Sequence, residues 1–279
     1  MSLGFLSDPA GFSLSEGWLL VQGGAPYWQV FAAGVLNTLK VALPAATLAA
    51  LLGFVLGFGQ LSKHPVLRAC SKIYVNVFRN VPLLIVLLAT YFAFTQFLPM
   101  AVDAWRLGDV VFLSKSGLAV PALQSTGVQY PTLGRFAVNG GWVLTPEYLS
   151  LLLALGLYTA AFVAEVVRSG VQAVKPGMRQ AALALGLNAE QASRHVVMPL
   201  ALRVMVPALS NQLLNLLKNA SLGVAIGYPE LVSVANTAMN QSGKAVECVL
   251  IILMVYLLLS LMASAVMNAL NARVNRGAL

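Results

Sequence analysis

Charge is what this chain has least of. Of its 279 residues, only 9% are Asp, Glu, Lys or Arg, against 59% that are hydrophobic. A soluble domain carries about 25% charged residues, so this composition cannot cover a water-facing surface. Cysteine is scarce as well. Cys70 and Cys248 are the only two, and the topology read below puts them toward opposite faces, so no disulfide framework is expected. The first 30 residues contain no Lys or Arg. Without a basic n-region no cleavable signal peptide is expected, and the first apolar helix can serve for insertion. His64 and His195 are the only histidines, and no Cys/His spacing for a metal occurs. A phosphate-binding Gly-x-x-x-x-Gly-Lys-Ser/Thr loop is also missing. Ser242-Gly243-Lys244-Ala245 lacks the first Gly and the closing hydroxyl. No nucleophile-and-base pattern suggests an enzyme, and no internal repeat is evident.

What the chain does have is long apolar runs. A bilayer core needs about 20 mainly apolar residues per helix. Five segments qualify: Phe31–Phe58, Ile73–Leu98, Tyr148–Val167, Val196–Leu217 and Ala245–Leu270. The expected fold is therefore an all-α membrane protein with five transmembrane helices in a single domain, 1–279. The net charge of +8 does not suggest nucleic acid, because the basic residues are dispersed and form no patch on a polar domain. Their distribution instead sets an orientation. Lys63, Arg68 and Lys72 fall between the first two spans. Arg168, Lys175, Arg179, Arg194 and Arg203 follow the third, and Arg273 and Arg276 lie in the tail. Five spans put all three groups on one side. The other side holds an N-terminus with Asp8 and Glu16, and a loop in which Arg106, Lys115 and Arg135 are balanced by Asp103, Asp109 and Glu147. The N-terminus is thus expected outside and the C-terminus in the cytoplasm.

Three stretches do not span. The outer loop 99–146 is rich in Pro and Gly, yet too apolar for a disordered linker, and is expected to cap the outer face. Residues 219–243 join the last two spans. Their apolar run, Leu222–Ala235, is too short to cross and is interrupted by Gly227, Tyr228 and Pro229, which reads as a re-entrant or interfacial segment. In the first span, Gly53 and Gly57 have the spacing of a close helix–helix contact; chance in a Gly-rich membrane helix gives the same pattern.

The third stretch, the cytoplasmic loop 175–195, carries the most local information. Pro176 suits the first turn of a helix, residues 178–185 are strong helix formers, and Gly186 can adopt the left-handed conformation that stops one. Asn188 with Gln191 three residues on has the form of a capping box opening a second short helix. Pro199 begins the next span. The sequence therefore encodes a short helix, a Gly stop, another helix and re-entry into the membrane. Such an Ala-rich helix held outside the bilayer is a natural knob for a partner's groove, although an ordinary interfacial loop would read the same way.

Polar residues inside the spans are the other candidates. Ionisable groups there are costly and functional by default. Glu165 and Arg168 share a face at i, i+3 and can pair, either as a structural ion pair or as a substrate contact. Asn211, Asn215 and Lys218 make an i, i+4, i+7 polar stripe on an apolar helix, with Gln212 beside it and Asn219 and Ser221 beyond. Asn supplies donors and acceptors for a zwitterion, and Lys attracts carboxylates. The stripe either faces a central pathway or hydrogen-bonds a neighbouring helix while Lys218 snorkels outward. Arg79, followed by Pro82, either lines an inner gate or contacts lipid phosphate or a loop carbonyl.

Taken together, the motifs resemble a known family. Gln180-Ala181-Ala182, Gly186, Val196 and Met198-Pro199 resemble the EAA motif of ABC importer permeases, with Gln180 where the family usually has Glu, Val196 where it has Ile and Met198 where it has Leu. Tyr74–Leu84 resembles the family's signature at its second helix. Glu165-Val166-Val167-Arg168-Ser169-Gly170-Val171-Gln172-Ala173-Val174 is similar to its AEIVRGGIQAV segment. Leu217–Leu222 and Ile226-Gly227-Tyr228-Pro229-Glu230-Leu231 are similar to LTKNSSL and IGYPEL. The nearest subgroup is that for polar or general L-amino acids. The resemblance implies a cytoplasmic coupling helix at Gln180, Ala181, Ala182, Gly186 and Pro199 that docks on an ATPase. It implies two such ATPase subunits holding ATP and Mg²⁺, with no cofactor in this chain. It also implies a second permease subunit, identical or homologous, an external substrate-binding protein, and a multi-pass place in a bacterial inner membrane. A gradient-driven transporter gives no reason for the helix–Gly–helix loop, and a scaffold gives none for the Asn211–Lys218 stripe.

Overall fold

A computed structural model describes residues 3–276 apart from 109, 125–126 and 135–137. Asp109 and Arg135, which entered the expected charge balance, lie outside the described residues. The chain is mostly helical. Helix α1 spans Tyr27–Leu61, α2 Pro65–Asn80, α3 Leu83–Phe97, α4 Pro146–Gln172, α5 Pro176–Ala184, α6 Ala189–Ala192, α7 Met198–Asn219, α8 Leu231–Ser242 and α9 Ala245–Arg276. Among the described residues, four helical runs are long and apolar enough to cross a membrane: α1, α4, the run 189–226 through α7, and α9. The number becomes five when α2 and α3 count as one broken span.

That break corrects the expected unbroken second span, Ile73–Leu98. The helix stops at Asn80 and restarts at Leu83. Val81 sits at φ −100°, ψ 132°, and Pro82 at φ −59°, ψ 137°. A proline ring clashes with an α-helical residue before it, so Val81 is pushed to the extended region. The same residue type has no such effect at Pro44, which lies within the continuous α1.

The outer loop 99–146 is a second departure, this time from an all-helical fold. Its described residues form eight short strands: β1 Trp105–Leu107, β2 Val111–Ser114, β3 Gly117–Val120, β4 Ala122–Gln124, β5 Gly127–Gln129, β6 Thr132–Leu133, β7 Val138–Asn139 and β8 Trp142–Leu144. Four of them make an antiparallel sheet in the order β1-β2-β3-β8, and the others pair as two hairpins, β4-β5 and β6-β7. In β2 and β3 alternate residues are buried, as the period of a strand demands. Phe112 and Ala119 face inward and pack with Ala101, Ala104 and Val138 as a small apolar core.

The chain divides into two compact units. The first comprises Met1–Ala45, Pro82–Leu155 and Ala220–Ala245. Its interior is joined by buried polar groups. The Asn37 amide donates to the backbone carbonyls of Glu16 at 3.1 Å and Pro229 at 3.0 Å. The Tyr228 hydroxyl donates to the Asn37 carbonyl at 3.1 Å, and the Tyr148 hydroxyl to that of Lys40 at 3.3 Å. The Leu231 N–H donates to the Thr38 hydroxyl at 3.2 Å. Fully buried Glu230 caps α8 by accepting from the N–H groups of Val232 and Ser233 at 2.9 and 2.8 Å, which satisfies donors that a helix start leaves open. A buried polar group without such partners would cost about 1–3 kcal/mol.

The second unit comprises Ala46–Val81, Gly156–Asn219 and Val246–Leu279. Here α1 and α4 approach closely. A Cβ at Gly57 would lie 2.6 Å from Val167 Cβ and 2.9 Å from the Ala164 carbonyl oxygen. Gly53 meets Val163 and Ala160 in the same way. The spacing of the two glycines thus does mark a helix–helix contact. The run into α7 includes a π-helical turn, Ser193–Val197.

Candidate functional site

The second unit holds three polar features of functional interest. The first is a cleft of about 300 Å³ between α4 and α7, lined by Tyr158, Thr159 and Phe162 on one side and Gln212, Asn215, Lys218 and Asn219 on the other. The α7 residues recur at spacings of three and four, which places them on one face. Asn215 and Lys218 are therefore brought together, as the polar stripe suggested. Asn211 is exposed on the same helix but does not line the cleft. The cleft offers amide donors and acceptors, a hydroxyl, a cation and two aromatic rings. That set can hold the two ends of a zwitterion and pack an apolar stem between them.

The α4 wall was not anticipated. Thr159, a buried polar residue in the apolar stretch 151–164 of α4, was its available signal, and Tyr158 and Phe162 stand beside it and one turn on. Lys40 was passed over too. It is a lone cation in the first apolar run, and intramembrane charge is a signal in itself. The first unit buries it, with its ammonium 5.0 Å from the Tyr148 ring centre and 6.0 Å from that of Trp142. Near it, Glu16 accepts a hydrogen bond from the Thr145 hydroxyl at 2.6 Å. Burial pushes the Glu16 carboxyl above its ordinary value, opposed by the Thr145 bond and the Lys40 charge.

The second feature is an ionic cluster. Arg168 holds Glu165 through two bonds, Nε to Oε2 at 3.0 Å and Nη2 to Oε1 at 2.5 Å, and its Nη1 donates to Gln172 at 2.6 Å. Arg79, at the end of α2, lies 3.8 Å from the same carboxylate and 5.8 Å from the Phe162 ring centre. Both oxygens of Glu165 are engaged. This geometry joins α2 to α4 through one shared carboxylate. Neither Glu165 nor Arg168 lines the polar cleft, which the cluster borders only through Phe162.

The third feature is the loop 175–195. Helix α5 opens with Pro176 in its first turn. Gly186 stops it at φ +90°, a conformation that costs a residue with a Cβ about 1–2 kcal/mol. The Leu187 N–H reaches back to the Ala182 carbonyl at 3.2 Å. Asn188 then opens α6 with a complete capping box: its side chain accepts from the Gln191 N–H at 2.8 Å, and Gln191 accepts from the Asn188 N–H at 3.0 Å. Pro199 is the second residue of α7. In α5 only Ala182 is buried. Gln180, Ala181 and Gly186 are exposed, and Leu185 is 85% exposed. A cleft of about 790 Å³ beneath the helix is lined by Phe58, Leu61, Gln180, Leu183, Val197 and Met198, among others. The loop thus presents a short, mostly exposed helix with apolar side chains that nothing among the described residues covers.

With this geometry in hand, similar proteins become informative. The model of the family described as "Binding-protein-dependent transport system inner membrane component" matches residues 49–276. The general L-amino acid transport system permease protein AapQ of Rhizobium johnstonii is 34% identical over 97% of this chain and 82% of its own length. The glutamate/aspartate import permease protein GltJ of Escherichia coli is 28% identical over 90% of each chain. A solved amino acid ABC transporter, crystallised with histidines, superimposes with a TM-score of 0.67 at 26% identity, covering 88% of this chain and 95% of that one.

Proposed function

Because the chain belongs to the family of binding-protein-dependent transport system inner membrane components, we propose that it is the permease subunit of an ATP-driven importer of polar or general L-amino acids. The exposed helix–Gly–helix loop Pro176–Ala192 carries this reading. A charge-poor membrane chain has little use for an apolar knob outside the bilayer unless a partner receives it. Gln180, Ala181, Ala182, Gly186 and Pro199 would form that knob and its connection to α7, coupling the chain to two ATPase subunits. ATP and Mg²⁺ belong to those subunits, where the hydrolysis takes place.

The orientation that suits this role has the N-terminus outside and the C-terminus in the cytoplasm of a bacterial inner membrane. It uses five spans, the second of them made by α3 and entered from α2 through the break at Val81–Pro82. A second permease subunit, identical or homologous, and an external binding protein complete the assembly. Asn215 and Lys218 would hold the substrate's polar ends as it crosses, with Asn211 one turn before them. Arg79, Glu165 and Arg168 fix the α2–α4 junction beside the route. ATP must favour one arrangement of the subunits by differential binding, since equal affinity for both shifts nothing.

Reconstitution with candidate ATPase, partner permease and binding protein tests the reading. ATP-dependent uptake of labelled amino acids that disappears when Gly186 is replaced by Val in an intact complex is the expected result. A fully assembled complex with no ATP-dependent uptake of any amino acid overturns it.

A further inference from the structure

Helix α2 has three faces, and one of them packs inward along most of its length. Leu67, Ser71, Tyr74, Val75 and Phe78 fall on the face turned inward. Ser71 and Val75 are buried, the Ser71 hydroxyl and Leu67 abut Gly59 of α1, and the Tyr74 hydroxyl donates to the Leu157 carbonyl at 2.9 Å. A second face carries Val66, Cys70, Ile73 and Val77 at i, i+4, i+7 and i+11. All four are exposed, the three aliphatic ones by 62%, 63% and 52%. A third face, on the far side of the inward one, carries Arg68, Lys72 and Arg79, and Lys63 stands in the turn just before the helix. Residues 62–82 contain no Asp or Glu. Arg79 is joined to Glu165, but Arg68 and Lys72 make no ion pair among the described residues.

We propose that α2 is an interfacial helix that sinks Val66, Cys70, Ile73 and Val77 into the acyl boundary of one leaflet and holds anionic phospholipid headgroups with Arg68 and Lys72. A helix with an exposed apolar stripe, a separate basic stripe and no acidic residue has the pattern of one lying in the plane of an anionic membrane surface. Long basic side chains reach from such a position to the phosphates while their stems cover apolar surface. A protein groove receiving this helix would need acceptors for both cations and an apolar floor at once; a leaflet of anionic lipid offers both without design. The break at Val81–Pro82 suits this arrangement, since it ends the interfacial helix before the apolar α3 begins. That the leaflet is the cytoplasmic one rests on the orientation proposed above; the insertion itself does not.

Cys70 supplies the probe, because it lies on the apolar stripe and Cys248 is buried. The full chain, labelled at Cys70 with an environment-sensitive fluorophore, is placed in phosphatidylcholine vesicles with or without phosphatidylglycerol. Quenching by acyl-chain nitroxide and shielding from iodide are expected. So is copurifying phosphatidylglycerol that falls about tenfold or more in the R68Q/K72Q variant, at about fivefold per charge removed. That variant should unfold at an unchanged temperature, since neither side chain makes a hydrogen bond or ion pair among the described residues. Quenching by iodide alone, or shielding from both quenchers by a covering protein, overturns the insertion. Phosphatidylglycerol retention unaltered in R68Q/K72Q overturns the headgroup contact. An impermeant maleimide on a Lys63→Cys variant in intact cells reads the orientation separately: labelling from outside overturns the choice of leaflet and leaves the insertion to the quenchers.

Discussion

Two clusters of polar side chains, one in each unit, are held in opposite ways. In the first, Asn37, Thr38 and Tyr228 are buried and make hydrogen bonds to backbone groups far away in sequence, while buried Glu230 closes the start of its own helix. In the second, Asn211, Asn215 and Lys218 stay exposed, and two of them line an open cleft. Asparagine, at Asn37 on α1 and at Asn215 on α7, thus serves as a fastening in one unit and as a presented surface in the other. Composition cannot tell these uses apart; the partner each side chain finds can.

The contrast is open to measurement. The largest effect is expected at Glu230→Ala, which strips two N–H partners from the start of α8 inside a sealed core. About 2 kcal/mol of stability should be lost, seen as a lower thermal unfolding midpoint of the purified chain. Asn215→Ala should do the reverse, lowering ATP-dependent uptake about tenfold, or about 1.4 kcal/mol, at an unchanged midpoint. If it unfolds the chain as Glu230→Ala does, the distinction between the units fails. Tyr228→Phe leaves one carbonyl, that of Asn37, without its hydroxyl donor and should cost about 1 kcal/mol by the same unfolding assay.

The smallest effect concerns pH. The folded-state value of Glu16 is raised, chiefly by burial, so the folded chain holds this proton more tightly than the unfolded one. Its contribution to stability is fully present below the unfolded value of 4.5 and is lost as pH rises through the higher folded value. Unfolding midpoints measured from acid toward neutral pH should fall less steeply in Glu16→Gln. An identical slope in both proteins would mean that Thr145 and Lys40 hold the carboxylate as well as water does.

How much of this was legible depended on the range over which each signal acts. The loop 175–195 was readable almost residue by residue, because Pro176, Gly186 and the Asn188–Gln191 box act within one turn of themselves. Long apolar runs located α1, α4, α7 and α9 for the same reason. The break after α2 was in view as Pro82, but the apolar run around it continues, and hydrophobicity outvoted the backbone. The sheet in 99–146 was hidden because its strands are two to four residues long, too short for alternation to emerge. The fastenings of the first unit were invisible in principle, since Asn37 meets Pro229 across 192 positions. In the site, the α7 stripe could be read from its own period, whereas the opposing wall of Tyr158, Thr159 and Phe162 belongs to another helix and gave only the lone Thr159 as a hint.

The π-helical turn at Ser193–Val197 sets the angular phase of everything after it. Such a turn accommodates one residue more than an α-helical one, and each residue of an α-helix advances the chain by about 100° around the axis. A regular helix through the same stretch, with that residue removed, would therefore point Asn215 and Lys218 more than a quarter turn away from Thr159. The wheel of side chains on α7 is clocked by a single surplus residue, placed between the loop that leaves the apolar run and the stripe that faces the cleft.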